Sequence, residues 1–78
     1  MTRALTQAQI KRRSAVLGML REDSKTWSAA DLRQALARRY EIFITIDTVQ
    51  DDLRAMEKAG SVSRQRFGGR EHRWEVRR

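Results

Sequence analysis

The stretch TIDTVQDDLRAMEKAG, Thr45 to Gly60, decides how the rest of the chain reads. It has the marks of one helix with a defined start and stop. The Thr45 hydroxyl is placed to accept an orphan N–H of the first turn. Gly60 suits the left-handed position just past the last turn. Ile46, Val49, Leu53 and Met56 recur at helical spacing and predict one buried stripe. Asp47, Asp51, Arg54 and Lys58 fall on the opposite face. Acids lead that face and bases close it, the order that complements a helix macrodipole.

Toward the C-terminus the period changes from helical to alternating. Ser61 to Phe67, then Gly68-Gly69, then Arg70 to Arg77 reads as a β-hairpin. A two-residue glycine loop would put Val62 on the face opposite Trp74 and Val76. A three-residue loop, Phe67 to Gly69, pairs Val62 with Trp74 and Arg66 with Arg70, and gathers Val62, Trp74 and Val76 on one face. Burying one apolar face fixes register, so an odd loop or a bulge is expected. The tip from Arg64 to Arg73 is polar and basic, and His72 reads as an exposed strand residue.

Toward the N-terminus, Ile42 and Ile44 alternate in a short extended connection, and Phe43 points the other way. Packing of Phe43 under another element is expected, with an exposed apolar handle as the alternative. Before that lies a helix capped by Ser28, with Asp31 as a weak reciprocal partner. Ala30, Leu32, Ala35, Leu36 and Tyr40 supply its apolar contacts, while Arg33, Gln34, Arg38 and Arg39 lie toward solvent. Lys25 to Trp27 reads as a short strand with Trp27 in the core. Thr6 and Gln9 form a capping-box pattern that opens a first helix running to about Arg21. Its buried stripe is expected at Ile10, Val16, Leu17 and Leu20, with Ala8, Ala15 and Met19 on another face. Residues 1–5 read as a flexible basic arm, and residues 6–78 as a single domain.

Composition narrows the function. The chain has 78 residues, no cysteine, one histidine and a net charge of +7. Disulfides and thiolate metal sites are excluded, and no run of about 18 apolar residues suits a membrane span. No catalytic triad, paired-carboxylate site or metal-ligand cluster is present. No cofactor and no enzyme activity are therefore expected, and a cytoplasmic location fits. Residues 1–21 carry +5, residues 45–60 carry −2 and residues 61–78 carry +4. The positive charge sits at the two ends, around a slightly acidic central helix. Such a balance points to an acidic partner. The pairs Arg12-Arg13 and Arg38-Arg39 read equally as solvated faces or as phosphate contacts.

The order of elements and the segments WSAADLRQALARRY, ITIDTVQDDLRAMEKAGSV and SRQRFGGREHRWEVR together resemble a winged helix-turn-helix domain. The central segment is similar to the recognition helix of bacterial winged-helix repressors, with its hydroxyl cap, Thr-Val pair, acid-Leu pair and closing Lys-Ala-Gly. The resemblance covers residues 6 to 77. It implies an α+β fold: a three-helix bundle, a short strand and a C-terminal hairpin wing. It also implies a DNA-binding regulator, similar to the compact regulators of phages and other mobile elements.

On that reading a recognition helix at about 45–59 enters the major groove with its leading residues toward base edges. These are Ile46, Asp47, Gln50 and Asp51, with Arg54 further along. Gln50 can pair bidentately with adenine, Arg54 can read guanine or a phosphate, and a carboxylate can accept from cytosine N4. The wing, residues 62–77, places Arg64, Arg66, Arg70 and Arg73 on the backbone or in a minor groove. Thr45, Thr48, Ser28 and Arg33 are the remaining phosphate contacts. The departure from the resembled pattern is Asp47 and Asp51, where Arg, Lys or Ser is usual. If they only complement the dipole, readout by this helix is weak and the flanking arginines carry affinity. A homodimer is compatible with this reading. The alternative is a winged-helix protein-interaction module that does not read DNA.

Overall fold

The computed structural model describes residues 5–22, 26–67 and 71–77. The elements run α1 (Gln7–Glu22), β1 (Trp27–Ser28), α2 (Ala29–Tyr40), α3 (Ile46–Lys58), β2 (Val62–Phe67) and β3 (Glu71–Val76). Three helices pack on one antiparallel sheet of strand order β1-β3-β2. This is the expected α+β order. Strand β1, at Trp27 and Ser28, shares only Trp27 with the expected Lys25 to Trp27; Lys25 lies outside the described residues.

Local hydrogen bonds set the helix boundaries. Thr6 and Gln9 form a reciprocal box: the Gln9 N–H donates to Thr6 Oγ1 at 3.1 Å, and the Thr6 N–H donates to Gln9 Oε1 at 2.8 Å. The Ser28 hydroxyl accepts from the Asp31 N–H at 3.1 Å. The Thr45 hydroxyl accepts from the Thr48 N–H at 3.3 Å. Helix α3 ends as its glycine predicts. Gly60 takes φ +85°, its N–H reaches Glu57 O at 3.0 Å, and the Ser61 N–H reaches Met56 O at 2.9 Å. That pair of bonds is a Schellman motif. Helix α2 stops without a glycine: Glu41 takes φ 54° and its N–H turns back to Leu36 O.

The core joins all three helices to the sheet. Val16, Met19, Leu20, Leu32, Leu36, Val49, Leu53 and Val62 are its best-buried side chains, with Trp27 and Trp74 over them. The two tryptophans face each other across β1 and β3. Several expected positions are displaced. Met19 and Ala15 are buried, whereas Ile10 is exposed. Ile10 stands about 100° around the helix from the Val16–Leu20 line, and the inner line continues toward the N-terminus through Arg13 and Arg12 instead. Tyr40 and Ala30 face solvent, at the two ends of α2. Phe43 is 79% exposed, so the expected packing does not occur; its neighbours Ile42 and Ile44 take the inward positions of the alternation.

The hairpin has the expected parity and a different register. Val62 pairs with Val76, Arg64 with Trp74, Arg66 with His72 and Phe67 with Glu71. Val62, Trp74 and Val76 do share one face. Relative to the expected pairing, each residue of β2 meets a partner two positions later. This register lets Val62 and Val76 close the base of the hairpin together, where the Arg77 N–H also donates to Ser61 O at 3.0 Å. Residues 68–70 between the strands lie outside the described residues.

Candidate nucleic-acid interface

One side of α3 is fixed by charge. Among the described residues Asp52 is the buried acid, 2% exposed. Arg12 donates Nε to Asp52 Oδ2 and Nη2 to Oδ1, the latter at 3.0 Å, while Arg13 donates Nε to Oδ1 at 2.9 Å. The guanidinium of Arg12 is held above its ordinary pKa, first by this hydrogen bond and also by the carboxylate charge, against the opposing effect of burial. A buried carboxylate left alone would cost several kcal/mol. The two arginines therefore tie α1 to α3 and, together with the buried stripe Val49, Leu53 and Met56, hold the rotation of α3 about its axis. The Arg12-Arg13 pair, open between solvent and phosphate in the sequence, belongs to this clamp.

That rotation turns the other side of α3 toward the wing. Ile46, Gln50 and Arg54, spaced four residues apart, line a cleft of about 430 Å³. Ser28, Ala29 and Ala30 at the start of α2 form one wall, and Arg64, His72 and Trp74 of the wing form the other. Arg64 lies over the Trp74 ring at 5.8 Å and within 3.5 Å of Glu57, so its guanidinium is aimed along the cleft edge. His72 is half-buried in this wall rather than an exposed strand residue. The expected exposure failed because alternation along β3 puts His72 on the same face as Trp74, against the cleft.

The remaining expected site residues divide by location. Asp47 and Asp51 are exposed on the outer face of α3, and Asp51 lies 3.6 Å from Arg54. Thr45 and Thr48 are engaged with each other, their hydroxyls 3.0 Å apart. Arg33 donates Nε to Ile44 O at 3.1 Å and so braces the connection between α2 and α3. Arg73 projects from the opposite face of the sheet. It donates Nε to Thr26 Oγ1 at 3.0 Å and lies 3.7 Å from Asp31. Arg66 belongs to β2, with its backbone opposite His72. Arg70 lies outside the described residues. The structure thus brings Ser28, Gln50, Arg54 and Arg64 to one cleft, and Arg73 to another surface.

Helix α2, the short connection, helix α3 and the following hairpin make a helix-turn-helix with a strand pair beside its second helix. The fold is the winged helix-turn-helix. Solved structures with this architecture include the ferric uptake regulator of Vibrio cholerae, whose DNA-binding domains are described as rearranging. It is 25% identical over 96% of this chain and 54% of its own, with a TM-score of 0.76. The manganese-containing ferric uptake regulator of Pseudomonas aeruginosa is 29% identical over 92% of this chain and 51% of its own, with a TM-score of 0.71. A structure of HOP2 described in terms of DNA recognition and protein interaction domains is 18% identical, covering 83% of this chain and 97% of its own, with a TM-score of 0.70. That last likeness is one of fold alone. This winged helix spans about half the length of the two uptake regulators it matches. No family model matches the chain, and no curated protein matches it significantly. Among the described residues, no helix is long and apolar enough to cross a membrane, and no group of three or more His, Cys, Asp or Glu is placed to hold a metal ion.

Proposed function

We propose that this winged helix is the DNA-binding unit of a transcriptional regulator. The observation that carries the reading is the cleft between α3 and the wing. It gathers an amide and a guanidinium from α3, a guanidinium from β2 and the capped start of α2 on one side of the molecule. The likeness to regulators with DNA-binding domains supports the same reading. Helix α3 lies in the major groove, with Gln50 toward adenine and Arg54 toward guanine or a phosphate. Asp47 and Asp51 accept from exocyclic amino groups. Ser28, Thr45, Thr48 and Arg33 follow one phosphate strand, and Arg64, Arg66 and Arg70 of the wing follow another; Arg73, turned to Thr26 and Asp31 on the far face of the sheet, is left out of this set. These contacts are salt-sensitive and carry little sequence information. The arm of residues 1–5 adds basic charge, residues 6–78 act as one domain, and two copies meet on a two-fold symmetric site in the cytoplasm. The chemistry is binding, not catalysis.

Fluorescence anisotropy with random-sequence duplex DNA tests this. Micromolar or tighter binding at low salt, with log Kd rising steeply with log salt, is expected. Absence of binding at low salt sinks the reading. Arg64→Ala is expected to weaken all duplexes alike and to lower the salt slope by about 1.

A second reading rests on a specific observation. The outer face of α3 opens with two exposed acids, and Phe43 stands almost wholly in water beside a groove of about 610 Å³ between α2 and the connection. Those features suit a protein partner, and they favour a winged-helix adaptor if duplex DNA fails to bind.

A further inference from the structure

Ile46 does not behave like the other members of its stripe. Val49, Leu53 and Met56 are buried, but Ile46 is 39% exposed. It occupies the first position of α3, straight after the Thr45 cap, and lines the wing-side cleft beside Ala29 and Ala30. A β-branched apolar residue there adds little to the core and nothing to helix propensity. It does present a methyl-rich surface one turn ahead of Gln50, on the same row of the helix. Four residues of helix rise about 6 Å, and successive base pairs are spaced about 3.4 Å. The two side chains therefore address base pairs no more than two steps apart.

The rest of the row and its neighbours offer less discrimination. Arg54 shares its guanidinium with Asp51. The exposed carboxylates of Asp47 and Asp51 can accept from the amino group of adenine or of cytosine, and so do not separate A·T from G·C pairs. In the major groove, thymine alone adds a methyl group to its hydrogen-bonding edge, and adenine alone offers the acceptor-donor pair that an amide matches.

We infer that Ile46 and Gln50 form a two-residue reader of A·T pairs, Ile46 packing on a thymine 5-methyl group and Gln50 bonding bidentately to a nearby adenine. This rests on the DNA-binding reading above, and it adds the base class that α3 selects and the side chain that selects it.

Replacing thymine by uracil removes that methyl and leaves every hydrogen-bonding group of the base in place. A selection from a random 20-base-pair duplex pool, followed by anisotropy on the enriched duplex, supplies the probe. The duplex is then remade with single thymine-to-uracil changes. Binding is expected to weaken about threefold to fivefold at one or two thymines and to stay unchanged at the others. Ile46→Ala is expected to bind the thymine and uracil duplexes equally, and Ile46→Val to keep part of the difference. The uracil series uses the unaltered protein, so its result does not depend on whether a variant folds. Equal binding of thymine and uracil at every position overturns the inference, as does an Ile46→Ala protein that still discriminates. Salt-dependent binding with no enriched sequence overturns this readout while leaving the broader reading intact. Failure to bind any duplex at low salt removes both.

Discussion

Asp51 and Asp52 are adjacent in the chain and have opposite fates. The Asp51 side chain is 76% exposed and lies 3.6 Å from Arg54, three residues on. The Asp52 side chain is 3% exposed and is held by two arginines from another helix. One residue turns the helix by about 100°, which is enough to move a carboxylate from solvent to the seam between α1 and α3. An exposed i,i+3 pair contributes little, whereas a buried carboxylate is costly to strip of its partners. The comparison separates two uses of charge in one helix. Asp52 fixes where α3 sits, and the row that faces away from it determines what α3 can touch.

The comparison breaks first, if it breaks, at Asp52. Asp52→Ala leaves two guanidinium groups without their acceptor and is expected to cost about 3–5 kcal/mol of unfolding free energy. Urea titration followed by circular dichroism checks this, and a loss below about 1 kcal/mol would contradict the clamp. Arg12→Ala removes a charged two-point contact but leaves Arg13 on the carboxylate, so a smaller loss of about 2 kcal/mol is expected. The same titration ranks the two variants, and Arg12→Ala proving the more damaging would reverse the assignment of the shared acceptor. Thr45→Ala removes only the cap and is expected to cost about 1 kcal/mol; a change in thermal midpoint within error would show that the cap is dispensable. Asp51→Ala is expected to leave stability within about 0.5 kcal/mol. Its effect should appear instead in DNA binding. Affinity for random duplexes rises a few-fold at low salt as one repelled charge is removed, and weaker binding would mean that acceptance from exocyclic amino groups outweighs that repulsion even in random sequence.

The two arginines of the clamp also change how the charge distribution is understood. The N-terminal segment reads as basic surface, yet Arg12 and Arg13 spend their charge inside the molecule on Asp52. Arg73 likewise turns to Thr26 and Asp31 on the far face of the sheet. A basic residue near a candidate interface is thus not automatically a phosphate contact. Among the described residues, the wing arginine with the clearest position for one is Arg64, because Trp74 and Glu57 hold it beside the cleft.

What the sequence determined by itself lies within a few residues of each signal. The Thr6–Gln9 box, the Ser28 and Thr45 caps, the glycine stop at Gly60 and the odd parity of the hairpin are local hydrogen-bond and periodicity rules. They suffice for the element order, and through it for the winged helix. The exceptions are local too: α2 ends on Glu41 in a left-handed conformation with no glycine to announce it. What only the tertiary structure decided depends on residues far apart. Asp52 meets its arginines across 39 and 40 positions; helical spacing puts it on the flank of the buried stripe and Asp51 opposite, but nothing local names the partners that make its burial tolerable. The exposure of Ile46 and Phe43 follows from how the helices cross, since an apolar side chain is buried only where another element arrives to cover it. The caps and the inward stripe of the helix are written in its own sequence, and the arginines that meet its one buried acid are supplied by another helix.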